Sequence, residues 1–156
     1  FVETYKKSNK VFFCGNGGSA ADAQHLSAEF SGRFFIDRSP LFAEALHVNT
    51  SYLTAVANDY GYENIYSRLV EAKGDEGDLL VGLTTSGKSQ NVINGLLQAR
   101  SMDMKTVCFV GKNPERMNEV CDYVITTPST STPRIQEMHI MIGHIICEIV
   151  ERTLFA

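Results

Sequence analysis

The sequence predicts an α/β protein, a three-layer sandwich with a central parallel sheet of about five strands flanked by helices. Two observations carry this. Short apolar runs alternate with helical stretches along the chain, the order that builds a parallel sheet covered on both faces. Two of those runs, Val11 to Cys14 and Leu79 to Leu83, break abruptly into glycine- and hydroxyl-rich loops that open helices. Ligands of such sheets gather beyond the carboxyl ends of the strands, where both loops fall.

The segment Val11 to Phe30, VFFCGNGGSAADAQHLSAEF, sets the pattern. Val11 to Cys14 is apolar enough for a buried parallel strand, Gly15, Gly17 and Gly18 end it, and Ser19 opens a helix. Flexible backbone, free amides, a hydroxyl and the positive end of a helix dipole together suit a phosphate. His25 and Glu29 follow at i and i+4, so both leave one face of that helix. They read either as a base or metal-ligand pair near the anion or as an ordinary solvated helical pair. Gly15 to Ala20 also satisfies a Gly-x-Gly-x-x-Ala dinucleotide fingerprint. That site needs an acidic residue at the end of the second strand, and the candidate, Glu44 to Val48, runs into Asn49 and Thr50.

The 156 residues fit a single domain over 1–156, and 44% hydrophobic with 21% charged residues is ordinary for a globular chain. A net charge of -4 without a basic cluster argues against a nucleic-acid surface, and no apolar run approaches membrane length. Cys14, Cys108, Cys121 and Cys147 stand singly in apolar segments, as expected of reduced core thiols in the cytoplasm. Phe1 to Lys10 has the look of a helix tail, so a helical segment is expected to precede it.

Ser31 to Pro40 is polar and long for a tight connection, which predicts a surface loop. Ser51 to Asn58 and Tyr62 to Lys73 are helical in pattern, separated by a turn at Asn58, Asp59, Tyr60 and Gly61. Asp59 there can bond a sugar hydroxyl, although local capping accounts for Asn58 and Asp59 as well. The strand Leu79 to Leu83 leads into Thr84, Thr85, Ser86, Gly87, Lys88 and Ser89, then a helix to about Met102. Gly82 to Ser89 matches the Gly-x-x-x-x-Gly-Lys-Ser pattern literally. Gly82 falls inside the strand, however, and the strand Lys105 to Val110 ends in Gly111 and Lys112 rather than in a magnesium-binding acid. What remains is a loop of four hydroxyls able to surround a monoester phosphate.

A helical piece from Pro114 to Cys121 and a strand from Tyr123 to Thr126 complete the alternation. The last segment, Ser131 to Phe155, starts with Thr132 and Pro133, a capping hydroxyl and a first-turn proline. Ile135, Met138, Ile142, Ile145 and Ile149 form a helical stripe that Ile140, Ile146 and Val150 widen, which predicts burial partly against another subunit. Gln136 and His144 are conspicuous on this helix, although a lone histidine there also reads as a core residue. Eight residues of rise separate them by about 12 Å, which strains convergence on one centre.

Three motifs in order carry a resemblance that covers nearly the whole chain: Cys14 to His25, CGNGGSAADAQH; Thr85 to Ser89, TSGKS; and Arg134 to His139, RIQEMH. They resemble the phosphoheptose isomerases, of the flavodoxin-like sugar isomerase (SIS) fold. The resemblance implies a cytoplasmic homotetramer with sites near subunit interfaces. It further implies conversion of sedoheptulose 7-phosphate to D-glycero-D-manno-heptose 7-phosphate through an enediol. That is the first step towards ADP-heptose or GDP-heptose for lipopolysaccharide core or capsule. It assigns sugar-phosphate binding to Asn16, Gly17, Gly18, Ser19, Glu29, Asn58, Asp59, Thr84, Thr85, Ser86, Ser89 and Gln136. Glu29 and His144 become the catalytic pair, and His25, Glu29, Gln136 and His144 ligands to one Zn2+ per subunit, donor types that suit zinc apart from the unusual glutamine.

The chain departs from the family at Thr84, where serine is common, and at Lys88, where asparagine is common. A non-catalytic relative of the same fold that binds the bacterial replication initiator shares the glycine loop and the RIQEMH motif. It lacks the carboxylate and the histidine that this chain has at Glu29 and His144, so the enzyme reading leads. A sugar-phosphate-sensing module is the third possibility.

Overall fold

The computed structural model describes residues 1–156. Five strands form one sheet: β1 (Val11–Gly15), β2 (Ala43–Ala45), β3 (Leu79–Thr84), β4 (Lys105–Val110) and β5 (Tyr123–Thr126). Every pairing is parallel and the order is β2-β1-β3-β4-β5. Seven helices connect and cover them: α1 (Val2–Lys6), α2 (Gly18–Ser31), α3 (Thr50–Tyr60), α4 (Ile65–Lys73), α5 (Gln90–Ser101), α6 (Glu115–Val120) and α7 (Thr132–Phe155).

Side-chain alternation along the strands divides the core into two layers. Phe12, Cys14, Leu80 and Cys108 face α3 to α6 through Val56, Tyr66, Val92, Leu96 and Val120. Val11, Phe13, Val81, Leu83 and Phe109 face α1, α2 and α7 through Tyr5, Leu26, Phe30, Cys147 and Val150. All residues of β1 and β3 are buried, which is why these strands read as unbroken apolar runs. Phe12, Phe13, Phe30 and Tyr66 are at most 2% exposed, and each such side chain contributes about 1.5–3 kcal/mol by leaving water.

The strand order reverses between β1 and β3. From β1 the chain steps outward to β2 and then returns to the other side of β1. In a doubly wound sheet that switch point opens a crevice at the carboxyl ends of the two strands. Gly15 pairs with Leu83 there, so the two loops of the sequence analysis start side by side.

Two expectations need correction, and the faces of α7 are defined more closely. The second strand ends at Ala45 rather than Val48: Leu46 still donates to the Phe13 carbonyl at 2.9 Å, after which the chain turns. Asn58 and Asp59 lie inside the last turn of α3, which runs to Tyr60 and stops at Gly61, whose φ of 90° only glycine adopts readily. The core face of α7 is Ile135, His139, Gly143, Cys147 and Val150, whereas Ile145 and Ile149 of the expected stripe are 48% and 53% exposed. Gly143 sets this rotation. A Cβ there would collide with Leu26, so α7 lies against α2 along a line of close approach.

Candidate active site

Two neighbouring places on α2 gather the polar residues. The first is its start. Gly17, the residue before the helix, has φ 56° and offers no side-chain cap, and the first turn of α5 also lacks a side-chain cap. The Ser19 and Ala20 amides bond the Asn16 and Gly17 carbonyls and the Val92 amide bonds Asn91 Oδ1, which leaves the first amides of α2 and α5 converging at the crevice, a setting that favours an anion.

A cavity of about 320 Å³ opens between them. Asn16, Gly17, Gly18 and Ser19 line one side, Thr84, Thr85 and Ser89 the other, and Thr132 and Gln136 of α7 close it. Gly18 lets the Gln136 amide lie against the helix start, and a Cβ there would push that side chain aside. Thr84 Oγ1 and Ser89 Oγ lie 3.1 Å apart, and Ser86 Oγ accepts the Lys88 N–H at 3.2 Å on the exposed rim. Gly82 sits within β3, paired with Cys14 and Cys108, so the Gly-Lys-Ser sequence forms no nucleotide-triphosphate loop.

Asn16 is braced by two residues that carry no signal in the sequence. Its amide pairs reciprocally with that of buried Asn91, both bonds at 2.8 Å, and its Oδ1 also accepts from the Tyr62 hydroxyl at 3.1 Å. Asn58 and Asp59 do not line the cavity; Asn58 Nδ2 donates to Asp59 Oδ1 at 2.8 Å on the exposed end of α3.

The second place lies further along α2. His25 Nε2 is 3.1 Å from Glu29 Oε1, as expected of an i, i+4 pair. His144 of α7 joins them, its ring edge-on to that of His25 with 5.0 Å between centroids. The three residues offer ligand atoms within 4.8 Å of one another. His144 Nε2 is buried without a hydrogen-bond partner, a costly state for an imidazole nitrogen unless something fills it. Two imidazoles and a carboxylate around one orphaned nitrogen make a donor set that fits a zinc ion.

The histidine of the RIQEMH motif goes elsewhere. His139 is fully buried against Phe109, neither ring nitrogen has a partner, and burial pushes its pKa below the ordinary value. It belongs to the core.

The relation between the two places follows from helix register. Gly18 faces Gln136 and Leu26 faces Gly143, so α2 and α7 run alongside each other with their residue numbers in step. Seven residues of rise put His25 about 10 Å along α2 from Gly18.

A family model for the SIS domain matches residues 1–111. The phosphoheptose isomerase of Clostridium acetobutylicum is 51% identical over 154 residues, covering 99% of this chain and 79% of that protein. Among solved structures, a phosphoheptose isomerase from Francisella tularensis superposes with a TM-score of 0.92 at 34% identity, over 97% of this chain and 81% of that one. One from Neisseria gonorrhoeae gives 0.91 at 39% identity, over 97% and 80%.

Proposed function

The chain belongs to the phosphoheptose isomerase family of SIS-domain proteins, and from that premise we propose that it interconverts sedoheptulose 7-phosphate and D-glycero-D-manno-heptose 7-phosphate through an enediol. The observation that carries this reading is the pairing of a helix-start cavity with the Glu29 carboxylate further along the same helix and the His144 imidazole beside it on α7.

The phosphate binds at the start of α2, taken by the backbone amides of Gly17 and Gly18 and by the hydroxyls of Ser19, Thr84, Thr85, Ser86 and Ser89. Asn16 and Gln136 hold the sugar against the loop, whereas Asn58 and Asp59, which the resemblance also implies, lie outside the cavity lining. The reacting end then extends towards Glu29 and His144.

Glu29 removes a proton from C1 of the ketose while His144 donates one to the C2 oxygen, giving the enediol. His144 then takes the proton of the C1 hydroxyl and Glu29 returns its proton to C2, completing the aldose with no net gain or loss of electrons. Both faces of the reaction need the two groups within hydrogen-bond reach of adjacent carbons, which their common cluster provides.

His25, Glu29 and His144 would hold a zinc ion, with Gln136 the fourth ligand implied by the family resemblance; when bound it polarises the sugar oxygens as a Lewis acid. Gln136 lies against Gly18, two turns before His144 on α7, where it lines the cavity at the start of α2.

We further infer a homotetramer of single-domain subunits acting in the cytoplasm, early in heptose supply for lipopolysaccharide or capsule. Met141, Ile145 and Ile149 are exposed along α7, and an apolar depression of about 830 Å³ beside them includes Val124 and Ile146; both suit subunit contact. No helix is long and apolar enough to cross a membrane. A non-catalytic role is less favoured, since a binding protein has no need to gather His25, Glu29 and His144.

Running the reaction in deuterium oxide tests the proton transfer. Aldose formed with deuterium at C2 is expected; complete retention of the transferred hydrogen, unexchanged, would point to a hydride shift and remove Glu29 as base.

A further inference from the structure

Arg38 and Glu151 form an ion pair whose side chains are only 1% and 2% exposed, with 2.8 Å between Nε and Oε1. Glu151 lies on α7 two turns beyond His144, and seven residues return the helix to nearly the same face. Its carboxylate also accepts the backbone N–H groups of Phe34 at 2.8 Å, Phe35 at 2.7 Å and Ile36 at 3.1 Å. Arg38 turns its other donors to α2. Nη2 donates to the Glu29 carbonyl and Nη1 to the Phe30 carbonyl, both at 3.0 Å, so the guanidinium satisfies last-turn carbonyls that have no partner within the helix.

One guanidinium–carboxylate unit thus joins the end of α2, which carries His25 and Glu29, to α7, which carries His144. It also pins the segment after α2, and that segment lays the Phe34 ring over His144, with 5.5 Å between centroids and 34° between planes. A buried pair of this kind adds little net stability over apolar packing of the same volume. What it supplies is a fixed geometry, through a planar fork that lysine cannot imitate.

We propose that Arg38 and Glu151 are positioning residues for the isomerisation, setting the spacing and orientation of Glu29 and His144 without touching the substrate. This rests on the isomerase reading of the site. Misplacing a reacting group by about 1 Å costs up to roughly 100-fold in rate, whereas the phosphate is held at the other end of α2 by different loops. The expected signature is therefore a fall in kcat with little change in KM.

The test compares the wild type with Glu151→Gln and Arg38→Lys, using sedoheptulose 7-phosphate as substrate and circular dichroism as the check on folding. It also follows the His144 Cε1–H resonance in substrate-free protein, which the Phe34 ring current displaces. Both variants are expected to lose roughly 10- to 100-fold in kcat with KM within about twofold, and to move the His144 resonance. Unchanged kcat in the folded variants, or reduced kcat with an unmoved resonance, would overturn the proposal. Should both variants fail to fold, Glu151→Asp, which keeps the charge and shortens its reach to Arg38, carries the same expectation, and there an unmoved resonance or unchanged kcat overturns it. A wild type without turnover would sink the isomerase reading instead, while the resonance still decides whether the pair orients His144.

Discussion

The His144 imidazole stands edge-on to that of His25, 5.0 Å between centroids, and keeps a buried Nε2 that no protein atom satisfies. Glu29 is the third member, 3.1 Å from His25 Nε2. A buried imidazole nitrogen without a partner is costly, so its retention beside a carboxylate marks a place where something else binds or reacts.

Glu29→Gln removes the proposed base and keeps the side chain's size and its place beside His25. Turnover is expected to fall by about 10²–10⁴-fold with folding intact, measured as initial rates of aldose formation. Wild-type rates in this variant would remove Glu29 from the proton transfer.

Gly18→Ala introduces a methyl group into the Gln136 amide at the mouth of the phosphate cavity. Displacing that side chain and crowding the helix-start amides is expected to raise KM by roughly 10- to 100-fold, the range for losing one hydrogen bond to a charged group. Inorganic phosphate should also lose its ability to inhibit. An unaltered KM would place the phosphate elsewhere.

Much of this arrangement was legible in the sequence because β1 and β3 are buried on both faces and their loops change composition abruptly at the strand ends. The spacing of His25 and Glu29 placed two of the three cluster residues, and resemblance supplied His144. The rest depends on tertiary contacts. The Ile-rich stripe of α7 gave no reason to prefer one face, and the close approach of Gly143 to Leu26 decides it. Asn58 and Asp59 have turn chemistry, yet packing carries α3 through them to Gly61. Asn91, Tyr62, Arg38 and Glu151 act through partners far along the chain, for which residue type and spacing give no signal.

Acid sensitivity should arise in two steps. Burial depresses the His139 pKa below its ordinary 6.5, so the unfolded chain binds a proton there first; the stability involved is full above pH 6.5 and falls as pH drops. Burial alone would raise the Glu151 pKa. The amides of Phe34, Phe35 and Ile36 and the Arg38 guanidinium outweigh it and hold the carboxyl below its ordinary 4.5, so that contribution is present above 4.5 and lost as pH falls through the depressed value. In His139→Phe, the drop in urea midpoint between about pH 7.5 and 5.5 should shrink while the steeper loss below about pH 4.5 persists. Equal drops in both proteins would contradict this.

Ile145 and Ile149 are about half exposed on α7, beside the apolar depression that includes Val124 and Ile146. Replacing both isoleucines by glutamate should place charge in the proposed subunit contact and break the proposed tetramer, read by sedimentation velocity. An assembly of unchanged mass would exclude this face.

The most direct measurement is conversion of sedoheptulose 7-phosphate to the aldose by the purified protein, before chelation, after it, and after zinc is restored. Turnover that disappears with the chelator and returns with zinc is the expected result, joining the isomerase to the His25, Glu29 and His144 cluster. A folded, zinc-replete protein that leaves the ketose unchanged would contradict the account.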